Sequence, residues 1–157
     1  MGQIRTHRTL AVDAAPATVW AALERVDDYP SWWPWLRELD ARSLEAGERW
    51  ACRIKPPLPW SMAFEVDLRR VGDGVVRADI RGDIRGTAGV VVAPSGSGGS
   101  TVTLEAALSA QGGATALLHR LAPSVSRWAH DRVIDAAFAQ FRDGALGGDG
   151  TTGHPSR

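Results

Sequence analysis

The sequence predicts an α+β fold: a curved antiparallel sheet of about seven strands wrapped around one long C-terminal helix, with two short helices after the first strand. Three observations carry this. Residues 124–142, SVSRWAHDRVIDAAFAQFR, follow Pro123 and hold no Gly or Pro, and His130, Ile134, Ala137 and Phe141 fall on one helical face. Upstream, segment after segment alternates apolar and polar residues with period two, the mark of antiparallel strands with one dry and one solvated face. The apolar face of the helix needs a cover, and the dry face of such a sheet is the economical one.

Each element follows from local chemistry. Residues 4–12 form a first strand with Ile4, Thr6, Arg8, Leu10 and Val12 on one parity. Asp13 and Pro16 open a helix whose apolar face is Val19, Trp20, Leu23 and Val26. In DDYPSWWPW, residues 27–35, Pro30 and Pro34 leave room for one helical turn, and Trp32, Trp33 and Trp35 are too close in sequence to share one buried face. A weak strand spans 36–46. A third, ERWACRIK, sets Trp50, Cys52 and Ile54 against Arg49, Arg53 and Lys55. PPLP at 56–59 is loop. The fourth strand places Trp60, Met62, Phe64, Val66 and Leu68 on the dry face and turns at Asp73-Gly74. The fifth reads Val76, Ala78, Ile80 and Ile84 inward, with Arg77, Asp79, Arg81, Asp83 and Arg85 outward. Residues 87–93 form a sixth, and a seventh turns Val102, Leu104, Ala106 and Leu108 inward. Residues 112–123 connect it to the helix. Residues 1–143 make one domain, and the Gly-rich 144–157 reads as a disordered tail.

Composition narrows the function. The 157 residues carry no net charge, so the chain as a whole has neither a basic footprint for nucleic acid nor a polybasic membrane patch. A lone Cys52 gives no disulfide framework, and four His without ligand spacing give no metal site; no cofactor is expected. No apolar run has membrane-spanning length and the N-terminus has no secretory h-region, so the expected location is cytoplasmic. Seven Trp against three Phe and one Tyr point to an aromatic lining somewhere. The expected lining is Trp33, Trp50 and Trp60, whereas Trp20 and Trp128 read as core.

Four stretches carry a family resemblance. VDAAPATVW (12–20), VDDYPSWWPW (26–35), GDIRG (82–86) and RWAHDRVID (127–135) resemble segments of the START-like, Bet v 1-like (SRPBCC) superfamily, in particular its polyketide cyclase/dehydrase and lipid-transport branch. The resemblance implies a helix-grip fold with an internal cavity. It also implies that Arg8 occupies the place of a cavity Arg that polarises a ketone in related aromatase/cyclases. The chain departs from the pattern where Ala129 stands for the usual Asn, Ile134 for Met, and Gly89-Val90 lacks an aromatic residue.

Three functions follow. The first is binding of a hydrophobic, aromatic or polyketide-like small molecule by Tyr29, Trp33, Trp50, Trp60, Met62, Phe64, His130, Ile134 and Phe138. The second is cyclisation or dehydration of a polyketide in the same cavity, with His130 as the catalytic group. The third is a protein-interaction module. His130 is open to two readings: a ligand-facing acid/base or hydrogen-bond handle, or a buried ring satisfied by a backbone carbonyl. Tyr29 is either a phenol at the cavity mouth or a packing corner. Arg8 is either the ketone-polarising group or a strand-end Arg reaching for water.

Overall fold

The computed structural model describes residues 3–111, 113, 117 and 120–146. Strand β1 (Gln3–Val12) leads into α1 (Pro16–Glu24), a 3-10 turn (Val26–Asp28) and α2 (Tyr29–Trp32). Six strands follow: β2 (Leu36–Asp40), β3 (Arg49–Ile54), β4 (Met62–Gly72), β5 (Val75–Gly82), β6 (Ile84–Pro94) and β7 (Ser100–Ala110). The long helix α3 spans Pro123–Gln140 and runs into a π-helical turn, Phe141–Ala145. The seven strands form one antiparallel sheet in the order β1-β7-β6-β5-β4-β3-β2. β1 pairs with β7, so the first and last strands are neighbours and β1 and β2 form the sheet's two edges.

Several boundaries differ from the sequence expectation, each for a local reason. β2 ends at Asp40, well before residue 46. β4 begins at Met62, because Trp60 still belongs to the proline-rich loop. The expected fifth strand is two strands: β5 stops at Gly82, and Ile84 and Arg85 open β6. GDIRG is the corner between them. Gly82 has φ of 135°, and a Cβ there would sit 2.7 Å from the Ala63 carbonyl oxygen; at Gly86 it would lie 1.8 Å from the Ala107 oxygen. Both glycines are thus required by close backbone approach. Asp83 between them accepts a hydrogen bond from the Ala63 amide at 2.8 Å, and its carbonyl accepts one from the Gln111 amide. One motif therefore ties the start of β4 to the end of β7.

The dense core lies at the α1 end, where Val19 and Ala22 meet Val12, Val92 and Val102. Ser100, fully buried, donates to the Ala14 carbonyl at 2.6 Å and locks the β1–α1 turn onto β7. The outer sheet face is charged: Asp67 accepts from Arg49 at 2.7 Å and from Arg81 at 2.6 Å. These guanidiniums, Arg49 foremost, hold the Asp67 carboxyl below the usual carboxylate range. Gly144–Leu146, assigned to the tail on sequence grounds, include the last residues of the π turn; 147–157 lie outside the described residues.

Candidate functional site

The helix is held by the aromatic stretch that follows α1. Trp33 Nε1 donates to the Ala137 carbonyl and Trp35 Nε1 to Gln140 Oε1, both at 2.9 Å. Trp32 packs edge-on to Phe141, with centroids 5.8 Å apart. Arg25 covers the other side of Trp32 at 5.3 Å and donates to the Ala145 carbonyl. The indole N–H groups are thus spent on anchoring α3, while their rings remain apolar wall.

Two adjoining chambers lie on the inner side of the sheet, one lined by the α1–β2 stretch and strands, the other by α3 and strands. The first, about 270 Å³, has an apolar lining that includes Tyr29, Trp33, Leu36, Trp50, Cys52, Val66 and Val90. Its few polar atoms are tied down or silenced. The Tyr29 hydroxyl donates to the Leu23 carbonyl, and burial pushes its pKa up. Trp50 Nε1 donates to the Ser43 carbonyl at 3.0 Å. Burial pushes the Cys52 thiol up to about 11, so it stays protonated and unreactive. Tyr29 is therefore a packing corner.

The second chamber, about 230 Å³, is bounded by Ile4, Pro56, Leu58, Met62, Ile84, Leu108, Ala129, Val133 and Ile134, with Ser109 and His130 as its polar side chains besides Trp35. Trp35, Ile54 and Phe64 border both chambers and form the partition.

His130 is held by a partner that the sequence did not suggest. Its Nε2 lies 2.5 Å from Oγ1 of Thr6, a buried residue of β1, rather than on a backbone carbonyl. Burial lowers the His130 pKa, and Arg127 and Arg8 add to this against the opposing pull of Asp131, so the ring is neutral at pH 7. No hydrogen bond joins Nδ1 to a described residue. A neutral imidazole with one nitrogen engaged can accept or donate a single hydrogen bond through the other.

The other predicted residues divide. Met62, Phe64, His130 and Ile134 border the second chamber; Tyr29, Trp33, Trp50 and again Phe64 border the first. Trp60 and Phe138 border neither, Phe138 packing instead against the core. Arg8 borders neither. It pairs with Asp131 at 3.4 Å and Asp135 at 3.8 Å, two acids of α3. Trp128, read as core, is 53% exposed; Trp20 is half-buried against the core. Sequence reasoning missed Pro56, Leu58 and Thr6. Thr6 had a signal, since it shares parity with Leu10 and Val12 on the dry face of β1 and so had to find a polar partner there.

A single curved sheet gripping a C-terminal helix over an apolar cavity defines a START-like, Bet v 1-like protein. Within that superfamily, the chain belongs to the polyketide cyclase/dehydrase and lipid transport family, whose sequence profile matches residues 3–146. Solved structures agree on the fold. A protein from Thermus thermophilus superposes with a TM-score of 0.76 at 13% identity, covering 94% of this chain and 99% of that one. A START superfamily protein from Mycobacterium smegmatis gives 0.71 at 12% identity over 93% and 99%. The ZhuI aromatase/cyclase from Streptomyces sp. R1128 gives 0.70 at 12% identity over 93% of each chain. No curated protein matches in sequence. Among the described residues no helix is long and apolar enough to cross a membrane, and no cluster of metal-ligating side chains occurs.

Proposed function

We propose that this protein binds a hydrophobic, aromatic or polyketide-like small molecule carrying at least one oxygen, with the ring system against Phe64, Met62 and Ile134 and the oxygen on His130. The observation that carries this reading is the contrast within two adjoining chambers: walls that are largely apolar, and on one of them an imidazole whose Nε2 is held by Thr6. Such a wall rewards apolar area, and the imidazole selects orientation. Each chamber alone is smaller than the roughly 300–1,000 Å³ of an ordinary ligand site. A larger polycyclic ligand would span both by turning Phe64 aside. Membership of a cyclase/dehydrase and lipid transport family supports the same ligand class. Titration with 2-naphthol, followed by tryptophan fluorescence, tests this: Trp35 borders both chambers, so saturable quenching is expected. An unchanged spectrum across naphthols and anthraquinones would overturn it.

The position of His130 favours one second reading, cyclisation. In a bound poly-β-ketone, His130 would take a proton from a carbon between two carbonyls. The resulting enolate would attack a third carbonyl, and the imidazolium would return its proton to the new alkoxide; loss of water would follow. The low basicity of His130 suits such acidic C–H groups, and the dry walls supply orientation. Turnover of a poly-β-ketone by the wild type, lost by about 10²–10⁴-fold in His130→Gln with binding retained, is the outcome this reading requires.

A further inference from the structure

The walls of the His130 chamber are joined by a stretch of chain unlike the rest of the surface. Leu108–Ala110 at the end of β7 border the chamber on one side, and Ala129, His130 and Val133 of α3 border it on the other. From Ala106 to His130 the sequence contains no Asp or Glu, although acids and bases balance over the whole chain. Among the described residues, the exposed large hydrophobic side chains of the protein all fall here: Leu117, Leu121, Val125 and Trp128, from 43% to 76% exposed. Arg120 and Arg127 are interspersed with them, Arg132 follows beyond Asp131, and all three are exposed. The first acids to follow, Asp131 and Asp135, pair with Arg8 of β1.

We propose that this segment is a docking surface for an anionic lipid bilayer, which would set the His130 chamber next to the phase in which an apolar ligand dissolves. Leu and Trp side chains enter the headgroup–acyl boundary while Arg side chains meet phosphate, the pattern of an interfacial segment that lies on a membrane without crossing it. The local excess of Arg over acid supplies the charge complementarity, since residues 106–130 carry two Arg and no acid while the rest of the chain holds 16 basic against 18 acidic residues. A protein partner on the same face would want matching acids and a shaped apolar groove; the four apolar side chains are instead spread along the stretch, as a fluid surface tolerates.

The test is co-sedimentation of the full chain with vesicles of phosphatidylglycerol mixed with phosphatidylcholine, against pure phosphatidylcholine. Binding to the mixed vesicles alone is expected, weakening as salt screens the Arg charges. Arg127→Ala should cost about fivefold in partitioning, the worth of one basic residue near an anionic surface. The pair Leu121→Asp/Trp128→Asp should abolish sedimentation at unchanged melting temperature, since both positions are exposed. Three results would overturn the proposal: no sedimentation of the wild type at low salt, undiminished sedimentation of these variants, or light scattering that finds a dimer which Leu121→Asp/Trp128→Asp dissociates. Naphthol affinity is measured without vesicles, so failure here and failure of the ligand reading are told apart.

Discussion

The two chambers share a wall and differ in chemistry. The one around Trp50 binds its polar atoms to the protein itself: the Tyr29 hydroxyl to Leu23, the Trp50 indole to Ser43, the Cys52 thiol kept protonated by burial. The one around His130 engages one imidazole nitrogen with Thr6, and the other bonds to no described residue. A ligand in the first can gain only from area and shape. In the second it can also gain from a hydrogen bond, and only if it carries an oxygen or nitrogen at the right place. The grip thus separates capacity from selectivity, with Phe64 between them.

Removing the partition should have the largest effect. Phe64→Ala would merge the chambers and cost about 3 kcal/mol of stability, the low end for a Phe that is only half-buried. Denaturant unfolding measures that loss, and anthraquinone-sized ligands should then bind more tightly relative to naphthols. If the stability loss appears without a change in ligand size preference, Phe64 does not divide the cavity.

Next in size is the polar pair. His130→Leu strands the buried Thr6 hydroxyl at a cost of about 1–3 kcal/mol, and Thr6→Val/His130→Leu should recover most of it, since replacing both partners by apolar groups is nearly neutral. Thermal melting of both variants checks this, and a double variant less stable than His130→Leu would contradict the pairing. The same pair sets a pH dependence. The unfolded chain protonates His130 near its ordinary pKa of about 6.5, whereas the folded protein resists protonation. The unfolded state therefore binds more protons as pH falls below about 6.5, and stability drops there; above it the contribution is fully present. His130→Leu should flatten that limb of the profile.

The smallest effect is expected at Arg8. Its side chain and those of Asp131 and Asp135 are between 36% and 69% exposed, so Arg8→Leu should cost less than about 1 kcal/mol and leave 2-naphthol affinity within a factor of two. A large loss of affinity would restore the ketone-polarising role that the family resemblance implied.

Much of the fold was legible because period-two and period-3.6 patterns report burial directly: β3, β4 and β7 alternate in sequence, and of the stripe His130, Ile134, Ala137, Phe141 the first two border the chamber against the strands while the last two meet Trp33. The β5–β6 corner was not legible, since Asp83, Ile84 and Arg85 continue the alternation and only backbone approach to Ala63 and Ala107 forces the break. Site residues on strands were found by parity, as Met62 and Phe64 show. Those on loops were not: Pro56 and Leu58 have no period to betray which way they point, and Trp60, two residues before β4 begins, was assigned to the wall by extending that strand too far. Asp131 and Asp135 lie off the apolar stripe and are 36% and 69% exposed, but a helical wheel gives only the side and not the neighbour, Arg8, that reaches it.

The central claim is that selectivity resides at His130. It is tested most directly by isothermal titration of 2-naphthol and naphthalene, near-isosteric ligands with and without a hydroxyl, into the wild type and the Thr6→Val/His130→Leu variant. The wild type should prefer the naphthol by one hydrogen bond, about 0.5–1.5 kcal/mol, and the variant should bind both alike. Equal preference in the two proteins would place the polar contact elsewhere and contradict the account.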